Sequence, residues 1–251
     1  MTDREEAIGV LADVHGNRWA LEEVLFDAAR RGVRRFVNLG DALYGPLDPA
    51  GTADLLLPLA APSVRGNEDR IVTERSAGPP PPTLAFTRSS LGAASLAWLE
   101  SLPRTAVAFD ELLLFHGTPE RDDQYLLHAV EPGGARPRNG AEVAALLGGV
   151  REPVVLCAHD HVPRVLSLDG GPLVVNPGSI GCPAYDDDHP HPHVMENGSP
   201  EARYAVLERG AGGWSARLLG VPYDHEAAAR AAEGNGRPDW ARWIRTGLAR
   251  G

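Results

Sequence analysis

The 251-residue chain contains no lysine and only two cysteines, Cys157 and Cys182. Two cysteines this far apart exclude a disulfide framework and a Cys-x-x-Cys metal site. All side-chain positive charge except that of histidine comes from arginine, which together with abundant Ala, Gly and Pro indicates GC-rich coding rather than a nucleic-acid-binding surface. The chain also lacks an apolar run long enough to span a bilayer, so we expect no membrane partner.

The formal net charge is -10 at pH 7. An acidic surface repels polyanions, which makes nucleic acid a poor partner for this chain. The N-terminus is polar and acidic and leads directly into a short apolar segment, so we expect no secretion signal and a cytoplasmic location.

The first part of the chain alternates between strand and helix patterns. Predicted strands cover residues 7–12, 35–39 and 61–64, and predicted helices cover residues 19–31 and 49–57. A proline-rich stretch at residues 79–82 then precedes a helical segment at residues 84–102.

Hairpins dominate the later part, together with one helix at residues 141–147 and one strand at residues 154–157. The predicted hairpin strands pair residues 105–109 with 112–115, 164–168 with 173–175, and 203–208 with 214–219. The polar segment 186–193 contains two prolines and predicts a mobile loop.

These patterns predict an α/β fold with two sheets packed face to face. We assign residues 1–222 to one catalytic domain and residues 223–251 to a helical extension that packs on it.

Five short polar clusters occur in order along the chain, each after a predicted strand. They are Asp13-Val14-His15, Gly40-Asp41, Gly66-Asn67-Glu68-Asp69, His116-Gly117 and His159-Asp160-His161. Loops at the carboxyl ends of strands converge in α/β sheets, so we expect these clusters to meet. Together they offer the carboxylate, amide and imidazole donors of a two-metal phosphoester-hydrolysing centre.

Each cluster is weak evidence by itself. Asp-x-His and His-x-His place two side chains on one side only if strand geometry continues. Asp41 has two oxygens that could bridge two cations, but alone it is more simply a turn or helix-cap aspartate. Asn67 alone is more simply a turn residue, and His116 a core histidine. The joint occurrence of five clusters favours metal binding.

Residues near the clusters have simpler explanations. We predict that Asn17 caps the first helix rather than facing a substrate. Tyr44 either lines the pocket or packs in the core. The turn at residues 176–179 either presents backbone N–H groups to the site or braces His161. Cys182 is most simply a small buried residue.

With these motifs, the chain resembles the calcineurin-like metallophosphoesterase superfamily, in particular its small prokaryotic predicted phosphoesterases. The family pattern is Asp-x-His, Gly-Asp, Gly-Asn-His-Asp/Glu, a later histidine before glycine, and Gly-His-x-His. Ala158 stands at the glycine of the last motif and leaves both histidines in place. The likeness extends from about residue 8 to about residue 207.

The resemblance implies a four-layer α/β/β/α sandwich and two divalent cations. One cation would be held by Asp13, His15 and His161, and the other by Asn67, His116 and His159, with Asp41 bridging both. Manganese is our first choice, and iron, nickel or zinc would also suit oxygen and nitrogen donors. The implied reaction is hydrolysis of a small phosphate ester or nucleotide by a metal-bridging hydroxide. Asp41, Asn67, Glu68 and His116 are the candidate catalytic residues.

Glu68 departs from the pattern, because the family has a histidine here that is thought to help protonate the leaving group. A carboxylate beside two dications should have a depressed pKa and be a poor general acid. It should also repel a dianionic monoester more than a monoanionic diester, so we expect a preference for phosphodiesters or activated esters. Alternatively, Glu68 points away and Asp69 only braces the loop. Histidines 189, 191 and 193 could replace the missing proton donor, although a solvated loop is simpler.

Other activities remain open. One alternative is a phosphomonoesterase, and another is a dinucleoside polyphosphate hydrolase or protein phosphatase, which would usually keep the Gly-Asn-His triplet. A nuclease is disfavoured by the acidic charge. A non-catalytic binding scaffold of the same fold, like the retromer subunit, has no chemical need for a complete set of donors.

Overall fold

The structure is a computed structural model and describes residues 7–74 and 78–250. Strands and helices alternate at first, and hairpins dominate after residue 104. In chain order the elements are β1 (Ile8–Leu11), α1 (Arg18–Arg30), β2 (Arg35–Asn38), α2 (Pro49–Leu56), α3 (Asn67–Thr73), α4 (Pro82–Ser90), α5 (Ala93–Ser101), β3 (Thr105–Ala108), β4 (Leu112–Phe115), β5 (His128–Glu131), β6 (Gly134–Pro137), α6 (Gly140–Leu147), β7 (Val154–Leu156), β8 (Arg164–Ser167), β9 (Leu173–Asn176), β10 (Ala184–Asp187), β11 (His193–Glu196), β12 (Ala202–Gly210), β13 (Gly213–Val221), α7 (His225–Gly234) and α8 (Pro238–Thr246).

Two mixed sheets form the centre of the molecule. The first has the strand order β13-β12-β1-β2, with β1 parallel to β2 and antiparallel to β12. The second has the order β3-β4-β7-β9-β8, with β4, β7 and β9 parallel to one another. Two separate hairpins, β5–β6 and β10–β11, lie outside these sheets.

The apolar residues divide into three layers, as two stacked sheets require. Val10 of the first sheet and Leu156 of the second belong to the same buried cluster, which therefore fills the space between the sheets. Val24 of α1 and Ile244 of α8 belong to a cluster outside the first sheet. Val143 of α6 and Val155 of β7 pack outside the second sheet. Alternation along strands sends neighbouring residues to opposite layers. The expected α/β fold with two mixed sheets and outer helices is confirmed.

Two predicted elements are wrong in detail. The predicted strand at residues 61–64 is only an isolated bridge between Asn38 and Ser63. Pro62 has no N–H to donate, so a longer ladder cannot form there. The helical segment 84–102 is two helices, α4 and α5, interrupted where Leu91 adopts an extended conformation. The short helix α3 was not predicted because seven residues carry too little apolar periodicity.

The segment expected to be a mobile loop is instead a hairpin. Residues of β10 pair with β11, for example Asp186 with Val194. His193 is buried, and its Nε2 lies 2.9 Å from the Tyr125 hydroxyl. The acidic and histidine-rich composition was misleading because only part of this hairpin packs on the domain, and its other residues face solvent. Within the described ranges, no helix is long and apolar enough to cross a membrane.

The C-terminal helices contribute to the core outside the first sheet. Trp240, Trp243 and Ile244 of α8 are buried in the same cluster as residues of α1. Trp240 also contacts the His15 ring edge-on, with ring centroids 5.6 Å apart. We therefore propose that residues 223–251 fold as one unit with residues 1–222.

This proposal predicts that shortening a buried side chain of this segment lowers the free energy of unfolding far more than shortening an exposed one. Ile244→Ala removes a fully buried side chain and should lower the free energy of unfolding by about 2–5 kcal/mol. Leu248→Ala, at a side chain that is 40% exposed, should change it by less than about 0.5 kcal/mol. Urea unfolding of the whole protein measures both. Equal, small effects would show that α8 is not part of the cooperative unit.

Candidate metal centre

The predicted donor side chains converge at the carboxyl ends of strands from both sheets. Asp13 and His15 follow β1, and Asp41 follows β2 in the first sheet. His116 follows β4, and His159 and His161 follow β7 in the second sheet. Asn67 begins α3. The clusters that are distant in sequence therefore meet at one place.

Asp13, His15 and His161 form one group whose ligand atoms all lie within 4.8 Å of one another. His161 Nε2 lies 3.1 Å from His15 Nε2 and 3.5 Å from Asp13 Oδ1. Asp13 is fully buried, and both histidines are 4% exposed. Three potential donors thus face a single point that is almost closed to solvent.

Asp41, His116 and His159 form the second group of donors within 4.8 Å. His116 Nε2 lies 3.2 Å from Asp41 Oδ2 and 3.9 Å from Asp13 Oδ1. The structure also groups Asp41 with His15 and Glu68. Asp41 therefore lies between the two histidine sets, where a bridging carboxylate has to be.

Five of these donor residues have left-handed backbone conformations. Their φ values are positive, at 50° for Asp13, 51° for His15, 49° for Asp41, 73° for His159 and 59° for His161. Residues other than glycine adopt this conformation at a cost, and such strain concentrates at functional sites. The condition under which Asp13 and His15 would share one side of a strand is not met, because β1 ends at Leu11. Tight turns, rather than extended backbone, aim these side chains.

Backbone hydrogen bonds between loops hold the strained residues. The amide of Asp13 donates to Gly40 O at 3.1 Å, and that of His15 donates to Asp41 O at 3.0 Å. Gly40 has φ of +94°, and a Cβ there would collide with the backbone of Gly66. A Cβ on Gly66 would in turn collide with Asp41. Glycine at both positions allows the two ligand loops to touch.

The imidazoles are oriented by hydrogen bonds from their outer nitrogens. Nδ1 of His116 lies 2.8 Å from Leu39 O, and Nδ1 of His161 lies 2.6 Å from Cys182 O. Nδ1 of His15 lies 3.2 Å from Tyr44 O. A carbonyl can only accept, so each Nδ1 carries the proton and Nε2 is left with a lone pair, the form that binds metals.

The inner atoms of the site fit a pair of cations. The Nε2 atoms of His15 and His161 face each other at 3.1 Å, so a proton or a metal cation has to lie between them. Asp13 Oδ1, Asn67 Oδ1 and His116 Nε2 are buried without a hydrogen-bond partner among the described residues. Buried polar atoms normally have a partner, and divalent cations would supply it.

The electrostatics of the side chains lead to the same conclusion. Burial lowers the pKa of His15, but Glu68, Asp41 and Asp13 outweigh this effect and raise the pKa to about 9. For His116, Asp41 and Asp13 likewise outweigh burial and raise the pKa to about 10. Burial and the positive charge of His116 lower the pKa of His159 to about 4. The carboxylates therefore produce an excess of negative charge, which attracts protons to the histidines. Bound cations would displace these protons.

Asp69 braces the loop that carries Asp41. Its two oxygens accept three backbone N–H groups, from Asp41 at 2.8 Å, Ala42 at 3.0 Å and Gly66 at 3.0 Å. Burial, and then the nearby charge of Asp41, raise the pKa of Asp69 to about 6. This geometry supports the bracing of the loop by Asp69, which was considered only as an alternative, and explains how Gly66 is fixed against Asp41.

A second brace holds the loop of His159 and His161. The side-chain amide of Asn176 donates to Asp160 Oδ1 at 2.7 Å and to Ala158 O at 3.2 Å. The other oxygen of Asp160 lies 2.8 Å from His128 Nδ1. Ser179 Oγ donates to Asp13 O at 2.8 Å. Of the two roles considered for residues 176–179, these contacts support bracing.

Glu68 faces the site rather than solvent. Its Oε2 lies 3.1 Å from His15 Nδ1, although the angle makes no acceptable hydrogen bond. Its backbone N–H donates to Asp41 Oδ1 at 2.9 Å. The protein groups alone raise the pKa of Glu68 to about 7, through burial and then Asp41 and Asp69, against the opposing effect of His15. The depressed pKa expected from the sequence applies only with dications bound.

Two cavities border the donors, and the smaller one has a volume of about 230 Å³. The side chains that line this smaller cavity include Glu68, Tyr44, Arg237 and Trp240. Asn17 does not line it; Asn17 Oδ1 accepts from Ala20 N and caps α1, as predicted. Cys182 is buried, as expected, and lines the same cavity.

Sequence analysis missed several side chains that shape the site. Tyr185 donates to His159 O at 2.9 Å and packs against the His161 ring at 4.7 Å between centroids. Tyr125 packs against His159 at 4.8 Å. Trp240 contacts His15 from the C-terminal extension. No local motif marks these residues, because their roles depend on tertiary contacts.

Comparison with known proteins agrees with this geometry. Residues 7–196 match the family model of the calcineurin-like phosphoesterase superfamily domain. An uncharacterized protein of Methanocaldococcus jannaschii is 23% identical, with the alignment covering 93% of this chain and 94% of that protein.

Solved structures show the same fold. The crystal structure of a metallophosphoesterase from Sphaerobacter thermophilus is similar with a TM-score of 0.75 and 26% identity, covering 96% of this chain and 100% of that one. A hypothetical protein from Pyrococcus horikoshii OT3 is similar with a TM-score of 0.72 and 20% identity, covering 97% and 99% of the two chains.

Three backbone N–H groups donate hydrogen bonds to Asp69. We therefore expect that only a carboxylate side chain can satisfy all of them at this position. Asp69→Asn turns one acceptor into an N–H donor and should destabilise the protein by about 1–3 kcal/mol. It should also reduce metal retention, since Asp41 loses its support. Urea unfolding and elemental analysis measure the two effects. Asp54→Asn, at an exposed position of α2, is the matched control. Equal behaviour of the two variants would contradict the bracing role.

Proposed function

Because this chain belongs to the calcineurin-like phosphoesterase superfamily, we propose that it is a dinuclear metal-dependent phosphoesterase. The preferred substrates are phosphodiesters or esters with activated leaving groups. The observation that carries this proposal is the position of Asp41 between two sets of histidine donors.

We assign Asp13, His15 and His161 to the first cation and Asn67, His116 and His159 to the second. Asp41 bridges them. Manganese is the first choice among the metals that suit oxygen and nitrogen donors, with iron, nickel or zinc as alternatives. Burial raises the pKa of both cysteine thiols well above the usual value, which disfavours thiolate ligation.

When bound, the cations would neutralise negative charge on the phosphoryl oxygens and would lower the pKa of a water molecule. The protein groups prepare the site for this chemistry. The carbonyls of Leu39, Tyr44 and Cys182 fix the histidine tautomers, so that the Nε2 lone pairs point inward. Asp69 fixes Asp41 through the amides of both ligand loops. Trp240 and Tyr185 pack on the rings of His15 and His161 and hold them in place.

The preference for diesters follows from the charge and position of Glu68. The side chain lines the cavity next to His15, so a substrate group in that cavity lies beside a carboxylate. Repulsion between like charges penalises a dianionic monoester more than a monoanionic diester. An ionised carboxylate also cannot protonate a poor leaving group, which favours alcohols that leave as stable anions.

Hydrolysis of matched aryl esters tests the proposal. The manganese-loaded protein should hydrolyse bis(4-nitrophenyl) phosphate with a higher kcat/KM than 4-nitrophenyl phosphate. Asp41→Asn should abolish both activities and should also prevent stoichiometric metal binding. A clear preference for the monoester would contradict the substrate assignment. An absence of both turnover and bound metal would instead favour the non-catalytic scaffold.

The role of Glu68 gives a second test. Glu68→His replaces a carboxylate with a group that can be cationic and can donate a proton, so monoesterase activity should rise by roughly ten- to a hundredfold. Glu68→Gln removes the charge without adding an acid and should raise it less. Initial rates on 4-nitrophenyl phosphate and on an alkyl monoester measure the change. If neither variant gains monoesterase activity, Glu68 does not set the substrate preference.

A further inference from the structure

A second and larger cavity adjoins the metal centre on the side of Asn67 and His159. Its volume is about 680 Å³. The loop at Gln124 and Tyr125 and the β5–β6 hairpin line one part of it, and the turn of the β10–β11 hairpin lines another. Cavities of this size hold ligands as large as a nucleotide. A phosphoryl group at the metal centre would leave this volume for the part of the substrate that does not react.

Arg138 is the unusual residue in this cavity. It is only partly exposed, and its Nε is buried without a hydrogen-bond partner. Within residues 7–74 and 78–250, its guanidinium makes neither a hydrogen bond nor an ion pair. Partial burial of a charge without a partner costs free energy, which a bound anion would recover.

The backbone of Arg138 is held firmly. Its N–H donates to Leu127 O at 2.8 Å, and its carbonyl accepts from Arg164 Nη2 at 2.9 Å. Arg164 Nη1 also donates to Leu127 O at 3.0 Å. The side chain therefore starts from a fixed point at the cavity wall, which reduces the entropy lost when it binds a ligand.

The other charged groups of the cavity already have partners. Arg121 pairs with Asp123 at 2.9 Å, and His128 pairs with Asp160 at 2.8 Å. Asp187 lies 3.8 Å from His189 and lines both cavities, so it belongs to the boundary near the metal centre. Among the described residues that line the larger cavity, Arg138 is the cation with no carboxylate within ion-pair distance.

We propose that Arg138 binds a second phosphate group of the substrate. The scissile ester would lie at the metal centre, and the remainder of the molecule would extend past Asn67 and His159 into the larger cavity. The guanidinium has the planar, multidentate geometry that suits phosphate oxygens. The substrate class is thus a nucleotide-sized phosphodiester with an additional phosphate. This inference rests on the proposed function, because it places the reacting ester at the metal centre.

Binding of two nucleotides that differ by one phosphate tests the proposal. Titration calorimetry compares adenosine 3′,5′-bisphosphate with adenosine 3′-monophosphate on the manganese-loaded protein. The wild type should bind the bisphosphate about tenfold to a hundredfold more tightly, the effect of one charge-assisted contact. Arg138→Gln should lose most of this preference. Arg138→Lys keeps the charge without the planar fork and should retain part of it.

Arg136→Gln is the matched control. Arg136 lies on the same hairpin, does not line the cavity, and pairs with Glu131 and Glu142 on the surface. This variant should keep the full preference for the bisphosphate and the wild-type rate on bis(4-nitrophenyl) phosphate. Thermal unfolding checks that each variant is folded.

Two results would overturn the assignment of Arg138. One is a wild type with equal affinity for the two nucleotides, and the other is a preference that survives in folded Arg138→Gln and Arg138→Lys. Failure of the proposed function would look different. In that case the wild type would not hydrolyse bis(4-nitrophenyl) phosphate, while the calorimetric preference would still report on Arg138.

Discussion

Three carboxylates, Asp13, Asp41 and Asp69, are buried within a few ångströms of the same point, and the surrounding structure compensates their charge. Isolated buried carboxylates would be very unfavourable. Asp69 is satisfied by three backbone amides, and Asp41 Oδ1 accepts the amide of Glu68. Asp41 Oδ2 lies 3.2 Å from His116 Nε2. Asp13 keeps one oxygen without a hydrogen bond. The site is therefore stable as a protein structure but incomplete in charge, which is the condition for tight binding of cations.

The same constraint accounts for the unusual backbone. Ligands from separate loops reach one point only if the chain turns sharply directly after each strand, and left-handed residues provide these turns. The strain is tolerated because the loops hydrogen-bond to each other instead of to solvent, as Asp13 does to Gly40 and His15 to Asp41. The glycines at positions 40 and 66 allow this close approach. Catalytic geometry and loop packing thus depend on the same contacts.

Features that depend on residues close together in sequence were predicted, and features that depend on contacts between distant segments were not. Apolar periodicity predicted the two sheets and the outer helices because each strand or long helix carries its own pattern. The donor clusters were recognisable because each consists of adjacent residues. Tyr185, Trp240 and Arg138 were missed because their roles arise from packing between segments far apart in sequence. The β10–β11 hairpin was mistaken for a loop because its polar composition hid the burial of His193.

The two cavities make the metal centre asymmetric, and this asymmetry bears on how a substrate lies. On the side of His15, the cavity is lined by Glu68 and Trp240, and its arginine, Arg237, already pairs with Asp239 at 2.6 Å. In the proposed site, this side would therefore suit a neutral or apolar group better than an anionic one. On the side of His159, Arg138 offers an unpaired cation in a larger space. In the proposed reaction, a phosphodiester with one charged and one uncharged substituent would place the charged one towards Arg138 and the uncharged one towards Glu68. On this proposal, the glutamate at position 68 would affect the orientation of the diester as well as the protonation of its leaving group.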